Sequence, residues 1–204
     1  MILLILIIFF VILINELIIK GNIDSIVKYV KNFILDSDKL VKQETPTYFI
    51  NYINYNFRKI INYDDSYLLL DFGSGDGTSL QKLKICEKKI GIEIDKSIYN
   101  LAVKNNKYTN IEFINDDISN YKFNENTIIF MYEPLWLCTD YISTYNKLFE
   151  NIVNSNNHIY IIYVTGLTKQ LEEKHFDKFN FKLKHKHKYG SILLYRYVYI
   201  YSNI

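Results

Sequence analysis

Asp71 stands two residues ahead of three alternating glycines, in the run Leu68-Leu69-Leu70-Asp71-Phe72-Gly73-Ser74-Gly75-Asp76-Gly77-Thr78. The run reads as a buried strand that ends in a carboxylate and turns on glycine, which lets the backbone fold tightly and approach a ligand closely. Three of the chain's 7 glycines fall within five positions, so ordinary loop composition explains the run poorly. The chemistry it suits is the holding of a nucleoside cofactor. NAD is disfavoured, because its fingerprint needs Gly-x-Gly-x-x-Gly and here the sixth position is Thr78.

Two further acids follow at strand ends. Lys89-Ile90-Gly91-Ile92-Glu93-Ile94-Asp95 is a short apolar strand ending in an acid about 20 residues past the first, where Rossmann-like sites place the carboxylate that holds ribose hydroxyls. Glu93 is the residue expected in that role, and Asp95 is expected to cap a helix beginning near Lys96. A third strand, Ile111-Glu112-Phe113-Ile114, leads into Asn115-Asp116-Asp117-Ile118, whose acids could equally be plain loop caps. A fourth, Thr127-Ile128-Ile129-Phe130-Met131, runs into Tyr132-Glu133-Pro134-Leu135-Trp136. That places the last segment at the carboxyl edge, where open α/β sheets bind ligands.

Asp-x-Gly-Ser-Gly-x-Gly after a first strand, with acids after the second and third, resembles the class I S-adenosylmethionine-dependent methyltransferases, the seven-stranded Rossmann-like family. The resemblance covers roughly Thr45 to the end and is strongest between Leu68 and Trp136. It implies S-adenosylmethionine as cofactor, bound by Asp71, Gly73, Ser74, Gly75, Gly77, Glu93, Ile94, Asp117 and Ile118. Asp117 would read the adenine amino group, with the Ile118 backbone N–H turned to a ring nitrogen, and Tyr48 would cover the methionine end. The segment from Tyr132 to Trp136 corresponds to the family's motif IV, and Tyr132, Glu133 and Trp136 are its candidate catalytic residues. Here the match is partial: Glu133 replaces the usual amide or Asp and Leu135 a second Pro. Trp136, the only Trp, also reads as ordinary core.

Several elements must carry these residues. Thr78–Glu87, Lys96–Asn105, Leu137–Ser155 and Leu167–Phe176 read as helices between the strands, and His158–Val164 as a fifth strand. Phe179–Leu183 and Ser191–Tyr201 read as a closing antiparallel hairpin around a turn at Tyr189-Gly190, and a helix is expected from about Phe49 to Ile61. Short apolar runs alternating with helical stretches specify an α/β fold with a doubly wound, mostly parallel sheet.

The amino end adds a different signal. Ile2 to Ile14 is uninterrupted apolar sequence, extended by Leu17 to Ile19, with no basic residue before it and Lys20, Lys28 and Lys31 after it. This reads as an uncleaved, single-pass transmembrane anchor over 1–19 with the remainder on the cytosolic or equivalent side, the alternative being a buried core helix. Residues 20–44 then form a connecting helix or linker and 45–204 the methyltransferase domain.

Composition excludes several classes. A net charge of +2 gives no reason to expect nucleic acid as a partner. The cluster Lys182, Lys184, His185, Lys186, His187 and Lys188 is expected in the hairpin turn, solvated or touching anionic headgroups. His185 and His187 have no further ligand at metal spacing, so no metal is expected. Two cysteines, Cys86 and Cys138, are too few for a disulfide framework.

The expectation is therefore a monomeric, membrane-anchored methyltransferase acting by in-line displacement on a protein amine, a lysine, in a protein substrate such as a membrane-protein neighbour. A single anchor followed directly by a small Gly-Ser-Gly-Asp-Gly domain is similar in layout to the membrane-anchored mitochondrial lysine methyltransferases. A small-molecule or lipid-linked acceptor, and a non-catalytic scaffold that keeps the fold, remain open alternatives. Aminopropyl transfer, as in the related polyamine synthases, ranks below these, since the segment before Leu68 lacks their extra strands and acids.

Overall fold

A computed structural model describes residues 45–132, 140–165, 171–190 and 195–204. By internal contacts the chain divides into a compact unit of residues 44–187 with 197–204, and a second of 1–43 with 188–196. The expected anchor and connector lie outside the described residues; among those described, no helix is long and apolar enough to cross a membrane.

The described residues form seven strands: β1 (Leu68–Phe72), β2 (Lys89–Ile92), β3 (Ile111–Ile114), β4 (Thr127–Tyr132), β5 (Ile159–Val164), β6 (Lys182–Gly190) and β7 (Tyr195–Ser202). Their order is β3-β2-β1-β4-β5-β7-β6, with β1 to β5 parallel and β7 antiparallel to β5. The chain winds outward from β1 to β3, then restarts on the other side of β1 with β4, so the strand order reverses between β1 and β4. That reversal opens the crevice in which such sheets hold ligands. Every residue of β1 and β5 is buried, as strands covered on both faces require.

Helices cover the two faces. In α1 (Thr47–Ile60), Phe49, Ile50, Ile53 and Phe57 form the buried stripe, one to four residues apart. The Asp95 side chain caps α3 (Lys96–Asn105), accepting from Ser97 N at 2.8 Å and Ile98 N at 3.0 Å. In α4 (Tyr141–Asn154), Tyr145, Leu148, Phe149 and Ile152 enter the core, where Phe149 meets Phe176, Phe179 and Phe181. Residues 137–139 of the helix expected over Leu137–Ser155 lie outside the described residues.

Three expectations are corrected. The helix expected over Thr78–Glu87 is the shorter α2 (Thr78–Lys82). Asn54 of α1 stops it, donating to Lys82 O at 2.9 Å and accepting from Lys84 N at 2.7 Å, so a tertiary pair takes backbone groups that another turn would have used. The helix expected over Leu167–Phe176 is, where described, α5 (Glu173–Asp177). Leu171 is held outside it, its N–H bonded to the Tyr163 hydroxyl at 3.1 Å, and the Glu172 N–H donates to His175 Nδ1 at 3.0 Å.

The third concerns the carboxyl end. Phe179, Asn180 and Phe181 are not strand, because Asn180 adopts a left-handed φ of 60°, and both phenylalanines lie against the Phe149 ring of α4. The basic cluster is not a turn either: it is most of β6, an edge strand, and the connection falls at 191–194, outside the described residues. Lys182, Lys184 and Lys186 are exposed on one face, while His185 and His187 on the other meet Tyr52 of α1. The Tyr52 hydroxyl lies 2.7 Å from His185 Nε2, and its ring stacks on His187 at 4.0 Å. Lysines along an edge strand discourage pairing with another chain.

Candidate functional site

The carboxyl ends of β1, β2 and β3 converge on the glycine turn. Gly73, Gly75 and Gly77 have φ of 70°, 57° and 77°, a conformation side chains rarely tolerate. Gly73 N and Ser74 N both donate to Ile92 O, at 2.9 and 3.0 Å, which ties the turn down onto the end of β2. The Phe113 ring of β3 forms the floor. A Cβ on Gly77 would lie 2.4 Å from that ring, and one on Gly91 would lie 2.7 Å from it and 2.8 Å from Ser74 Cβ. Gly91 thus lets the turn sit directly on the sheet.

Glu93, buried just past β2, is fixed through both carboxylate oxygens. Oε2 accepts from Gly75 N at 3.0 Å and Oε1 from Asp95 N at 2.9 Å. A carboxylate offers about four lone-pair sites, so each oxygen keeps room for a ligand hydroxyl. Ile94 beside it is 67% exposed, although apolar. Asn115, at the end of β3, donates to the backbone oxygens of Glu93 and Ile94 at 2.8 and 3.0 Å.

Asp71 differs from Glu93. It is 3% exposed, and its Oδ2 finds no hydrogen-bond partner among the described residues; neither does the buried Ser74 Oγ. Burial, and then the negative charge of Glu93, push the Asp71 carboxyl up to about 8. Buried polar atoms are almost always paired, so two orphans at one strand end mark a place shaped for something else to bind.

The sequence-derived residues fall into three sets. Asp71, Gly73, Ser74, Gly75, Gly77, Glu93 and Ile94 come together at the ends of β1 and β2. Asp117 and Ile118 stand beyond β3, where the Asp117 carboxylate caps a single 3-10 turn (Ile118–Asn120) by accepting from Ser119 N at 2.8 Å, and the Ile118 side chain is buried. Tyr132 ends β4, half-buried, one residue beyond Met131, the register partner of Phe72.

Tyr48 is placed by α1, in its first turn, with its ring 4.2 Å from that of Phe49. Glu133 and Trp136 lie outside the described residues. Gly91, Phe113 and Asn115 were not singled out by sequence reasoning. Only Gly91 carried a readable signal, a glycine inside a strand, which marks close backbone approach. Among the described residues no cluster of His, Cys, Asp or Glu could hold a metal.

No protein-family model matches the chain, and no curated protein matches it in sequence. Solved structures match its fold. The N-methyltransferase NodS from Bradyrhizobium japonicum aligns with a TM-score of 0.59 at 14% identity, covering 83% of this chain and 99% of that one. An S-adenosylmethionine-dependent methyltransferase from Leishmania major aligns at 0.58 with 16% identity, covering 75% and 71%. Another from Aquifex aeolicus aligns at 0.55 with 12% identity, covering 79% and 100%. The chain therefore has the seven-stranded Rossmann-like fold of class I S-adenosylmethionine-dependent methyltransferases.

Proposed function

We propose that the protein is an S-adenosylmethionine-dependent methyltransferase. The observation that carries this reading is the pair of orphaned polar atoms, Asp71 Oδ2 and Ser74 Oγ, inside a glycine turn at the point where the strand order reverses. The residues present fit the cofactor. Glu93 would hold the ribose hydroxyls on its remaining lone pairs, Ile94 would lie against the adenine face, and Asp117 would accept from the adenine amino group. Asp71 and Ser74 would find in the cationic amino-acid end the partners they lack. S-adenosylmethionine, when bound, supplies a methyl group on a sulfonium, open to in-line displacement by an acceptor nitrogen as the carbon–sulfur bond breaks.

What remains for the chain is to align the acceptor, exclude water and take up the acceptor's proton. Tyr132 would wall the approach from the end of β4, with Glu133 accepting the proton and Trp136 facing the developing cation. The acceptor we propose is a protein lysine amine. Support for it is the layout of the sequence, an apolar run over Ile2–Ile14 followed by Lys20, Lys28 and Lys31, which would anchor the domain on the cytosolic side of a membrane beside protein neighbours. Glu133 in place of the family's amide favours a second reading, a cofactor-binding scaffold without turnover.

Isothermal titration of the full chain in detergent with S-adenosylmethionine and S-adenosylhomocysteine tests the first step. Micromolar binding that is lost in Asp71→Ala and Glu93→Ala is expected. Transfer of a tritiated methyl group to lysine in membrane proteins is the expected second result. Binding without transfer to any acceptor establishes the scaffold, and a folded protein that binds neither ligand overturns the enzyme reading.

A further inference from the structure

We infer that Asn115 is a positioning residue that sets the ribose and adenine end of the cofactor site, an inference that rests on the cofactor reading above. Strand pairing fixes β2 only as far as Glu93, whose N–H donates to Ile114 O at 3.0 Å. Past that rung, the chain must cross from the sheet to α3 with two peptide carbonyls beyond the reach of the ladder. Asn115 takes both: its side-chain amide donates to Glu93 O at 2.8 Å and to Ile94 O at 3.0 Å. An amide nitrogen carries two hydrogens, and two carbonyl partners use one each, which also fixes which way the amide points.

The consequence is a turn whose two successive peptide planes cannot rotate independently. Its lower end carries the Glu93 carboxylate, kept against Gly75 N and Asp95 N; its upper end holds Ile94 out in solvent, 67% exposed. Both groups face the adenosine half of the ligand, whereas Asp71 and Ser74 serve the methionine half. Asn115 touches neither half. Its influence runs through Glu93 and Ile94, so it should set affinity for the nucleoside without altering the alignment of methyl and acceptor.

The test compares full-length wild type with Asn115→Leu, which keeps the size and loses both donors, and with Asn115→Gln and Asn115→Ser, which keep donors in altered reach. Dissociation constants are measured for S-adenosylhomocysteine and for adenosine alone, together with thermal unfolding and the KM and kcat of methyl transfer. The expected result is a rise of about tenfold in both dissociation constants for Asn115→Leu, by a common factor, with KM for the cofactor rising alike and kcat unchanged.

Asn115→Gln should recover part of the loss. Should Asn115→Leu fail to fold, Asn115→Ser is read instead, with the same common factor at a smaller size. Unaltered adenosine affinity in a folded variant, or a fall in kcat without a change in KM, overturns the positioning role and leaves the cofactor reading standing. Wild-type protein that binds neither ligand overturns the cofactor reading itself.

Discussion

The two edges of the parallel sheet treat buried polar groups in opposite ways. At the amino edge the polar side chains at the starts of β2 and β4, and His158 ahead of β5, are paired. Lys89 Nζ, buried at the start of β2, donates to Leu83 O at 2.5 Å, and Thr127 Oγ1, at the start of β4, to Glu125 O at 2.8 Å. His158 sits between the Tyr67 hydroxyl at 2.8 Å and Ser202 Oγ at 3.1 Å. At the carboxyl edge, a few residues along β1, Asp71 Oδ2 and Ser74 Oγ find no partner among the described residues. One chain, folded by one set of rules, satisfies these groups and leaves two orphans together at the carboxyl edge, the third among the described residues being the lone Tyr201 hydroxyl of β7. Completing a buried hydrogen bond from outside gives a ligand free energy that a satisfied edge cannot offer. The amino edge therefore serves as an internal control for the carboxyl edge.

Asp71→Asn should break this contrast most strongly. Cofactor affinity is expected to fall roughly a hundredfold by isothermal titration, about what losing one charged hydrogen bond implies. Stability of the ligand-free protein should move the other way. The Asp71 carboxyl is raised from 3.8 to about 8, so between those values the folded chain holds a proton that the unfolded chain has released. Stability contributed by this group is then full at low pH and is lost as pH rises through that window. Urea midpoints measured from pH 5 to 9 should show the decline in wild type and lose this component in Asp71→Asn. A wild-type profile identical to that of the variant would mean that the Asp71 carboxyl is not raised in the folded chain.

Gly91→Ala tests whether the floor of the carboxyl edge is as tight as it looks. The new Cβ would stand 2.7 Å from the Phe113 ring and 2.8 Å from Ser74 Cβ. Overpacking of this kind costs about 1–3 kcal/mol. Since Ser74 is one of the displaced groups, cofactor affinity should fall alongside stability. The double variant with Phe113→Leu should regain part of the stability, a coupling readable from denaturant midpoints.

His158→Gln sharpens the contrast from the other side. Loss of one of the two hydrogen bonds of the His158 ring should cost about 1 kcal/mol with cofactor affinity unchanged. Burial, and then Lys184, hold the His158 pKa below its ordinary 6.5, so the unfolded chain takes up a proton first as pH falls. Stability is then lost below pH 6.5, the opposite slope to that of Asp71. His187, lowered likewise by burial and by His185, should leave part of that acid slope in the variant.

What the sequence reveals, and what it hides, divides along the same line. The glycine turn and the Asp95 cap are legible because each acts within a few residues of itself, through φ or helix start; Glu93 is legible as an acid at a strand end, but its bond to Gly75 N across the turn is not. The early stop of α2 is not, since Asn54, nearly thirty residues upstream, causes it. Nor is the strand nature of Lys182–Gly190: a run of lysine and histidine reads as loop until Tyr52 and β7 are placed beside it. Asn115 and Phe113 belong to the same class, ordinary residues whose role exists only once β2 and β3 lie side by side.

The smallest expected effect separates two neighbouring acids at that edge. Asp95 caps α3 through its side chain, while its own backbone N–H steadies Glu93. Asp95→Ala removes the cap and keeps the N–H, so it should cost about 1 kcal/mol of stability and leave cofactor affinity within error. Glu93→Ala should do the reverse, releasing the ligand at little cost to α3. Titration and thermal unfolding of the pair would show whether one turn keeps its structural acid and its binding acid independent. A large loss of affinity in Asp95→Ala would instead mean that the α3 cap holds Glu93 in place as much as the Asp95 N–H does.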